Sequence, residues 1–194
     1  MSSQPDLFAA PPLLAGLEYV EGLIDRDEER SLIAAIGGLK LEPFRFQGWT
    51  GKRITASYGW RYDFDDRSFM PADPIPDFLV ALRERAAAFV GMPPDEFVQA
   101  LMVRYDPGVG IGWHRDRPVF EHVIGVSLGA PATLRFRRRT SGTGFERRSL
   151  LVAARSAYHL EGDARHLWEH SIAPMDATRW SVTFRSLSER GKRR

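Results

Sequence analysis

The sequence predicts a mainly β fold with flanking helices, an α+β arrangement in which a sandwich or barrel of short strands carries N-terminal helices on one sheet. Three observations predict it. From Phe97 onward apolar residues recur with period two in short runs separated by Gly- and Pro-containing turns. Upstream of Phe97, two segments carry apolar stripes with helical spacing. The 194 residues contain no internal repeat, a length that suits one domain with a sizeable core. A cupin-like jelly roll is one closure of such a strand set.

Residues 1–16 are rich in Pro and Ala and read as a wrap-around arm or loose tail. Leu17–Ile24 suggests a short strand. Asp25 stands as an N-cap with Glu28 three residues on, and Leu32, Ile33 and Ile36 form a helical stripe that stops at Gly37-Gly38. Phe44–Thr50 and Arg53–Trp60 read as two strands around a turn at Thr50-Gly51-Lys52, and Asp63–Pro76 as a loop. A second helix runs from Pro76 through Phe78, Leu79, Leu82 and Phe89 to Gly91. Successive strands follow at Phe97–Tyr105, Val119–Leu128, Thr133–Arg138, Arg147–Ala153, Ser156–Leu160, Arg165–Ile172 and Arg179–Ser186. The expected division of a single domain is 1–95 for the N-terminal helices and the strands with them, 96–188 for the jelly-roll core, and 189–194 for a basic tail.

The chemistry gathers around His114-Arg115-Asp116, just past the turn Asp106-Pro107-Gly108. Side chains two apart on an extended chain share a face, so this imidazole and carboxylate can reach one point. They make two thirds of the facial triad that holds non-haem iron(II) with open positions. The other histidines are His122, His159, His166 and His170. An Arg165–Ile172 strand would put both His166 and His170 on one face, so spacing leaves either free to complete the triad. Asp63, Asp65 and Asp66 form an oxygen-rich alternative, but without the alternation and glycine of a calcium loop they read as solvated surface.

Composition narrows the classes. The absence of cysteine excludes disulfides, thiolate metal sites and Cys nucleophiles, and suits a reducing cytoplasm. No apolar run spans a bilayer and no signal-peptide pattern opens the chain. The expectation is a cytoplasmic monomer with no obligate protein partner. Net charge is only +2, yet Arg135, Arg137, Arg138 and Arg139 face Arg147 and Arg148 across a Thr-Ser-Gly-Thr-Gly linker. Such a basic hairpin suits phosphates, or serves as a solvated edge that blocks aggregation.

Arg104-Tyr105-x-Pro-Gly, His114-x-Asp116, Val126-Ser127-Leu128-Gly129, Gly162-Asp-Ala-Arg165-x-x-Trp168-x-His170-x-Ile172 and Arg179-x-Ser181-x-Thr183-Phe184-Arg185 follow one another from about residue 97 to 186. This ordered set resembles the AlkB-type iron(II)/2-oxoglutarate dioxygenases. Upstream, Gly48-Trp49-Thr50 and Arg53 to Tyr62 resemble that family's nucleotide-recognition lid. The resemblance implies a double-stranded β-helix, with Fe(II), 2-oxoglutarate and O2 as cofactor and cosubstrates. It selects His170 over His166 as the third ligand beside His114 and Asp116. It places Arg179 on the distal carboxylate of 2-oxoglutarate with Tyr105 beside it, and Arg185 near the keto acid end. An arginine pair suits this work, because a buried carboxylate needs a buried cation. Two positions depart from the pattern: Val103 stands where the family has Asn before Arg-Tyr, and Ser181 where it has Asn after Arg-x. Each removes an amide near the cosubstrate.

The activity implied is oxidative dealkylation of N-alkylated bases in DNA or RNA, with a protein or small-molecule hydroxylase as the alternative on the same fold. Base repair requires a flipped base stacked between flat side chains. Trp49, Tyr58, Trp60 and Tyr62 are the aromatic candidates, and Tyr58, Trp60 and Tyr62 alternate as though lining one face. Arg53, Arg165 and the basic hairpin are the candidates for phosphates. Glu121 is a candidate acceptor for an exocyclic amine.

Overall fold

The computed structural model describes residues 13–46, 49–62 and 69–193, with backbone only at Phe46 and Trp49. In chain order the elements are β1 (Leu17–Val20), α1 (Arg26–Gly37), β2 (Glu42–Phe46), β3 (Trp49–Tyr58), β4 (Trp60–Tyr62), β5 (Phe69–Pro71), α2 (Val80–Phe89), β6 (Phe97–Tyr105), β7 (Ile111–His114), β8 (Phe120–Gly129), β9 (Ala132–Arg139), β10 (Phe145–Val152), β11 (Ala157–Leu160), α3 (Gly162–His166), β12 (Glu169–Ile172), β13 (Arg179–Leu187) and α4 (Glu189–Lys192). A seven-stranded sheet runs β1-β11-β8-β13-β6-β3-β2, and a four-stranded sheet runs β10-β9-β12-β7. From β6 on, the chain crosses back and forth between the two sheets, which makes the double-stranded β-helix expected from the sequence.

Strand alternation sorts the core into two layers. Trp180, Val182 and Phe184 of β13 face outward with Ile124, Val126 and Leu128 of β8, and pack under Leu32 and Ile36 of α1 and Leu82 and Ala86 of α2. The opposite face turns Val103, Tyr105, Val123 and Tyr158 inward against Leu134, Phe136 and Ile172 of the smaller sheet. Full burial of one such Phe or Leu stabilises by about 1.5–3 kcal/mol. The N-terminal helices therefore do cover one sheet, but their flanking strands do more. β1 and β2–β3 extend that sheet at its two edges.

Helix α1 begins where Asp25 caps it, the carboxylate accepting from the backbone N–H of Asp27 and Glu28 at 2.9 Å. Buried Glu29 then pins the helix to the sheet, accepting from the N–H of Gly129 at 2.9 Å and from Arg155 at 2.6 Å.

Four local expectations change. Thr50-Gly51-Lys52 lies inside β3 rather than at a turn, because the β2–β3 ladder closes at Phe46 opposite Trp49. The expected loop at 63–76 contains β5, which pairs with β4. The expected strand at Arg165–Ile172 is strand only from Glu169, and Gly162–His166 is a helical turn. The basic tail begins as a helical turn capped by Ser188, with Gly191 so close to Val119 that a Cβ there would sit 2.3 Å from the Val119 carbonyl oxygen. Among the described residues, no helix is long and apolar enough to cross a membrane.

Candidate active site

Antiparallel pairing of β12 with β7 sets His170 directly opposite His114, their ring centroids 4.3 Å apart. Directly opposite residues share a face, so both imidazoles project into the space between the sheets. Asp116 follows two residues after the end of β7, its Oδ2 at 3.5 Å from His170 Nε2. The three side chains converge. His166, the other candidate for the third position, sits on α3 and bonds Glu121 at 2.7 Å in an exposed pair. The helical turn at 162–166 is what parts the two histidines: it rotates His166 away while β12 aims His170 inward.

The donor set fits a divalent iron. His114 is oriented by its Nδ1, which donates to the Gly112 carbonyl at 2.9 Å, so its Nε2 carries the free lone pair. Burial holds both imidazoles neutral, lowering His114 and pushing His170 down to about 3. Asp116 stays ionised despite burial because the Arg185 guanidinium holds its carboxyl far below the ordinary range. Arg185 bonds only one oxygen, Oδ1, through Nε at 2.9 Å and NH2 at 2.7 Å, leaving Oδ2 toward His170. Two neutral nitrogens and one fixed carboxylate oxygen are the donors of a facial triad.

On β13 the even spacing turns Arg179, Ser181, Thr183 and Arg185 to this same inner face. Arg179 is fully buried opposite Tyr105, with its Cζ 5.4 Å from that ring's centroid. Its Nε donates to Ser127 Oγ at 3.2 Å, while NH1 and NH2 are buried without a partner. A buried guanidinium with an empty fork is built for a planar anion, and the distal carboxylate of 2-oxoglutarate fits it. Ser181 lies opposite Val103 on one side and Ser127 on the other.

Sequence reasoning missed two residues here. Tyr158 on β11 lies across Gly125, where a Cβ would meet its ring at 2.3 Å, and burial pushes its phenol up to about 12. A glycine in mid-strand signals a close approach of this kind, though not its partner. Buried Gln99 accepts from Arg185 at 3.0 Å and donates to the Trp60 carbonyl at 2.7 Å and to Ser57 Oγ at 3.1 Å. Nothing in the local sequence marks it.

The aromatic candidates separate. Gly59, at φ 78° and with no room for a Cβ, which would lie 2.0 Å from the Val98 carbonyl oxygen, breaks the run between β3 and β4. Tyr58 therefore packs with the helix-side core, while Trp60 stacks on Phe69 at 4.8 Å and Phe69 meets Phe120 edge-on at 5.6 Å. Arg185 lies 5.4 Å from the Phe120 ring centroid, which ties this wall to the site. Tyr62 carries the Arg117 guanidinium at 4.6 Å. Arg53 stacks 3.8 Å over Phe44, and burial lowers its pKa while Tyr105, Arg185 and Asp116 act on it. Arg165 is buried, donating through NH2 to the carbonyls of Arg117 at 2.6 Å and Phe120 at 2.8 Å, so it braces the loop after Asp116, while its Nε is buried without a partner. The Trp49 side chain, Gly48, Asp63, Asp65 and Asp66 lie outside the described residues.

The basic hairpin is β9–β10, and carboxylates temper it. Arg137 pairs with Glu169 at 2.6 Å, and Glu146 takes both Arg138 and Arg148 at 2.7 Å. Among the described residues no carboxylate pairs with Arg139 or Arg147. A separate titratable group, His122, His159 and Glu161, sits on the outer face of the seven-stranded sheet. There His122 Nδ1 and His159 Nε2 share a hydrogen bond at 3.1 Å, so it is not part of this centre.

A profile of the 2OG-Fe(II) oxygenase superfamily matches residues 42–194. The chain is 28% identical over 155 residues to the alpha-ketoglutarate-dependent dioxygenase AlkB of Escherichia coli (strain K12), covering 74% of this chain and 68% of that one. It is 27% identical over 184 residues to an alkylated DNA repair protein ALKBH8 homolog of Arabidopsis thaliana, covering 82% of this chain but only 51% of that protein. The solved structure of OsALKBH1 shares the fold at a TM-score of 0.64 and 16% identity, over 88% of this chain and 96% of that one. Sequence profile, relatives and fold agree with one another, and the chain belongs to the 2OG-Fe(II) oxygenase superfamily as an AlkB-like dioxygenase that works with iron(II), 2-oxoglutarate and O2.

Proposed function

We propose that this enzyme removes alkyl groups oxidatively from N-alkylated bases of DNA or RNA, with His114, Asp116 and His170 holding the iron. The observation that carries the substrate class is the aromatic wall beside the centre. Trp60 stacked on Phe69, itself against Phe120, offers flat surface of the kind that receives a flipped base, one side chain away from Arg185. Two relatives bearing names for alkylated DNA repair and AlkB support the same class.

Iron(II) with 2-oxoglutarate and O2 supplies the oxidising power for a C–H bond, and the chain positions what reacts. His114 and His170 offer neutral imidazole nitrogens. Arg185 fixes one Asp116 oxygen and so orients the other. Arg179 clamps the distal carboxylate, with Tyr105 and Ser181 beside it. Hydroxylation of an N-alkyl carbon gives a hemiaminal that collapses to aldehyde and free base. Arg53 and the unpaired Arg139 and Arg147 are the cations available for phosphate.

The ion pairs of Arg137, Arg138 and Arg148 favour a second reading, a protein or small-molecule hydroxylase, because they leave less positive charge for a phosphate backbone. Succinate release separates the two. Turnover on N-methylated oligonucleotides above that on unmodified oligonucleotides and peptides supports dealkylation. Stimulation by peptide alone overturns it.

A further inference from the structure

We propose that Tyr158 is a 2-oxoglutarate-binding residue, donating its phenolic hydrogen to the distal carboxylate alongside Arg179. The inference rests on the cosubstrate pocket proposed above and adds a residue to it.

Three observations converge. Tyr158 is 7% exposed, so its phenol sits in the layer between the two sheets with the inward-facing core. The ring is not placed by accident of packing alone. It starts on β11 and reaches across β8, and the space for it exists because residue 125 is glycine: a Cβ there would lie 2.5 Å from the Tyr158 hydroxyl oxygen. Gly125 pairs with Thr183 on β13, so the hydroxyl lies over β8, beside the strand that bears Arg179 and Ser181. Finally, Arg179 leaves NH1 and NH2 unpartnered in the same layer, and it is the charged group that acts most strongly on the Tyr158 phenol. An unpartnered guanidinium fork with a phenol in the same layer describes one acceptor.

The chemistry of that acceptor follows. Tyrosine offers one O–H and arginine a planar fork, which together match the lone pairs of a carboxylate better than a neutral carbonyl. The phenol stays protonated at all working pH, because burial raises its pKa. It is a neutral donor, and it strengthens anion binding without adding charge. This accounts for the two departures noted in the sequence. Val103 and Ser181 bring no amide to the pocket, and they lie opposite one another across β6 and β13. Tyr158 reaches the same region from the other side of the sheet and restores a donor there.

Tyr158→Phe keeps the ring and removes only the donor. Calorimetry of 2-oxoglutarate binding to the Mn(II)-loaded protein, which does not turn over, is expected to show affinity about tenfold weaker, the loss for one hydrogen bond to a charged group. 2-Oxobutyrate keeps the keto acid end but lacks the distal carboxylate, and its affinity should not move. The double variant Tyr158→Phe with Ser181→Asn should regain part of the loss. Unchanged 2-oxoglutarate affinity in Tyr158→Phe, with Arg179→Lys weakened, overturns the role of Tyr158 and leaves the pocket standing. If Arg179→Lys binds as the wild type does, the pocket itself is misplaced.

Discussion

Arg179 is the most exacting test of the pocket, because its energetics differ with and without cosubstrate. Fully buried, it spends Nε on Ser127 and leaves both terminal nitrogens unpaired. An unsatisfied buried donor costs about 1–3 kcal/mol, more when charged. Arg179→Met removes that cost and keeps a similar side-chain length, so the cosubstrate-free protein should be no less stable than wild type, and stabilised if the Ser127 bond is the smaller contribution. Binding should respond in the opposite direction. A hydrogen bond to a charged group is worth about 1.5–3 kcal/mol, so losing one arm of the fork in Arg179→Lys predicts about 10- to 100-fold weaker 2-oxoglutarate. Thermal denaturation with and without 2-oxoglutarate reads both effects in one experiment. A large drop in the melting temperature of cosubstrate-free Arg179→Met, with its 2-oxoglutarate response intact, would refute the reasoning and make Arg179 a purely structural cation.

His170→Ala should abolish iron binding while His166→Ala, which breaks only an exposed pair with Glu121, should bind iron as wild type does; metal content after desalting decides, and the reverse pattern removes His170 from the set. His170 has a folded-state pKa pushed down to about 3 from 6.5, so the unfolded chain takes up its proton first. The stability of the metal-free protein is therefore whole above about pH 6.5 and declines as pH falls toward 3, by up to about 1.4 kcal/mol per pH unit for this one proton. Melting curves between pH 8 and 5 should be flatter for His170→Gln than for wild type, and parallel curves would contradict the assignment. If Arg139 and Arg147 contact phosphate, replacing either with Ala should lower the slope of log affinity against log salt by roughly 0.7–0.9, whereas identical slopes would make β9–β10 a solvated edge.

Most strands of the catalytic core were legible as short apolar runs between turns, but β7, only four residues long beside a glycine-rich bend, was not. Phe97–Tyr105 coincides with β6 to the residue. The convergence of His114 and Asp116 was legible because both lie in one tripeptide, whereas His170 was singled out only by the family resemblance. What the sequence hid is non-local. His166 and His170 look equivalent on a strand, and only the helical turn at Gly162–His166 separates them. Tyr58, Trp60 and Tyr62 look like one face until Gly59, at positive φ, parts them. The pairing of Arg137 with Glu169 joins residues 32 apart in sequence, so the basic hairpin reads as more positive than it is.

Gln99 has a consequence for how this enzyme changes over time. Its amide has one oxygen and two hydrogens, and it commits them to three different strands: Arg185 on β13, Trp60 on β4 and Ser57 on β3. Both amide hydrogens are committed, so a shift of Trp60 or Ser57 moves the oxygen that holds Arg185. Mechanically, the arginine that orients Asp116 and the backbone beneath the aromatic wall behave as a single lever. If the wall receives substrate as proposed, a backbone shift at position 60 will register in the iron end of the pocket, and tuning of Arg185 will register in what the wall accepts. The two specificities are geared together through one side chain.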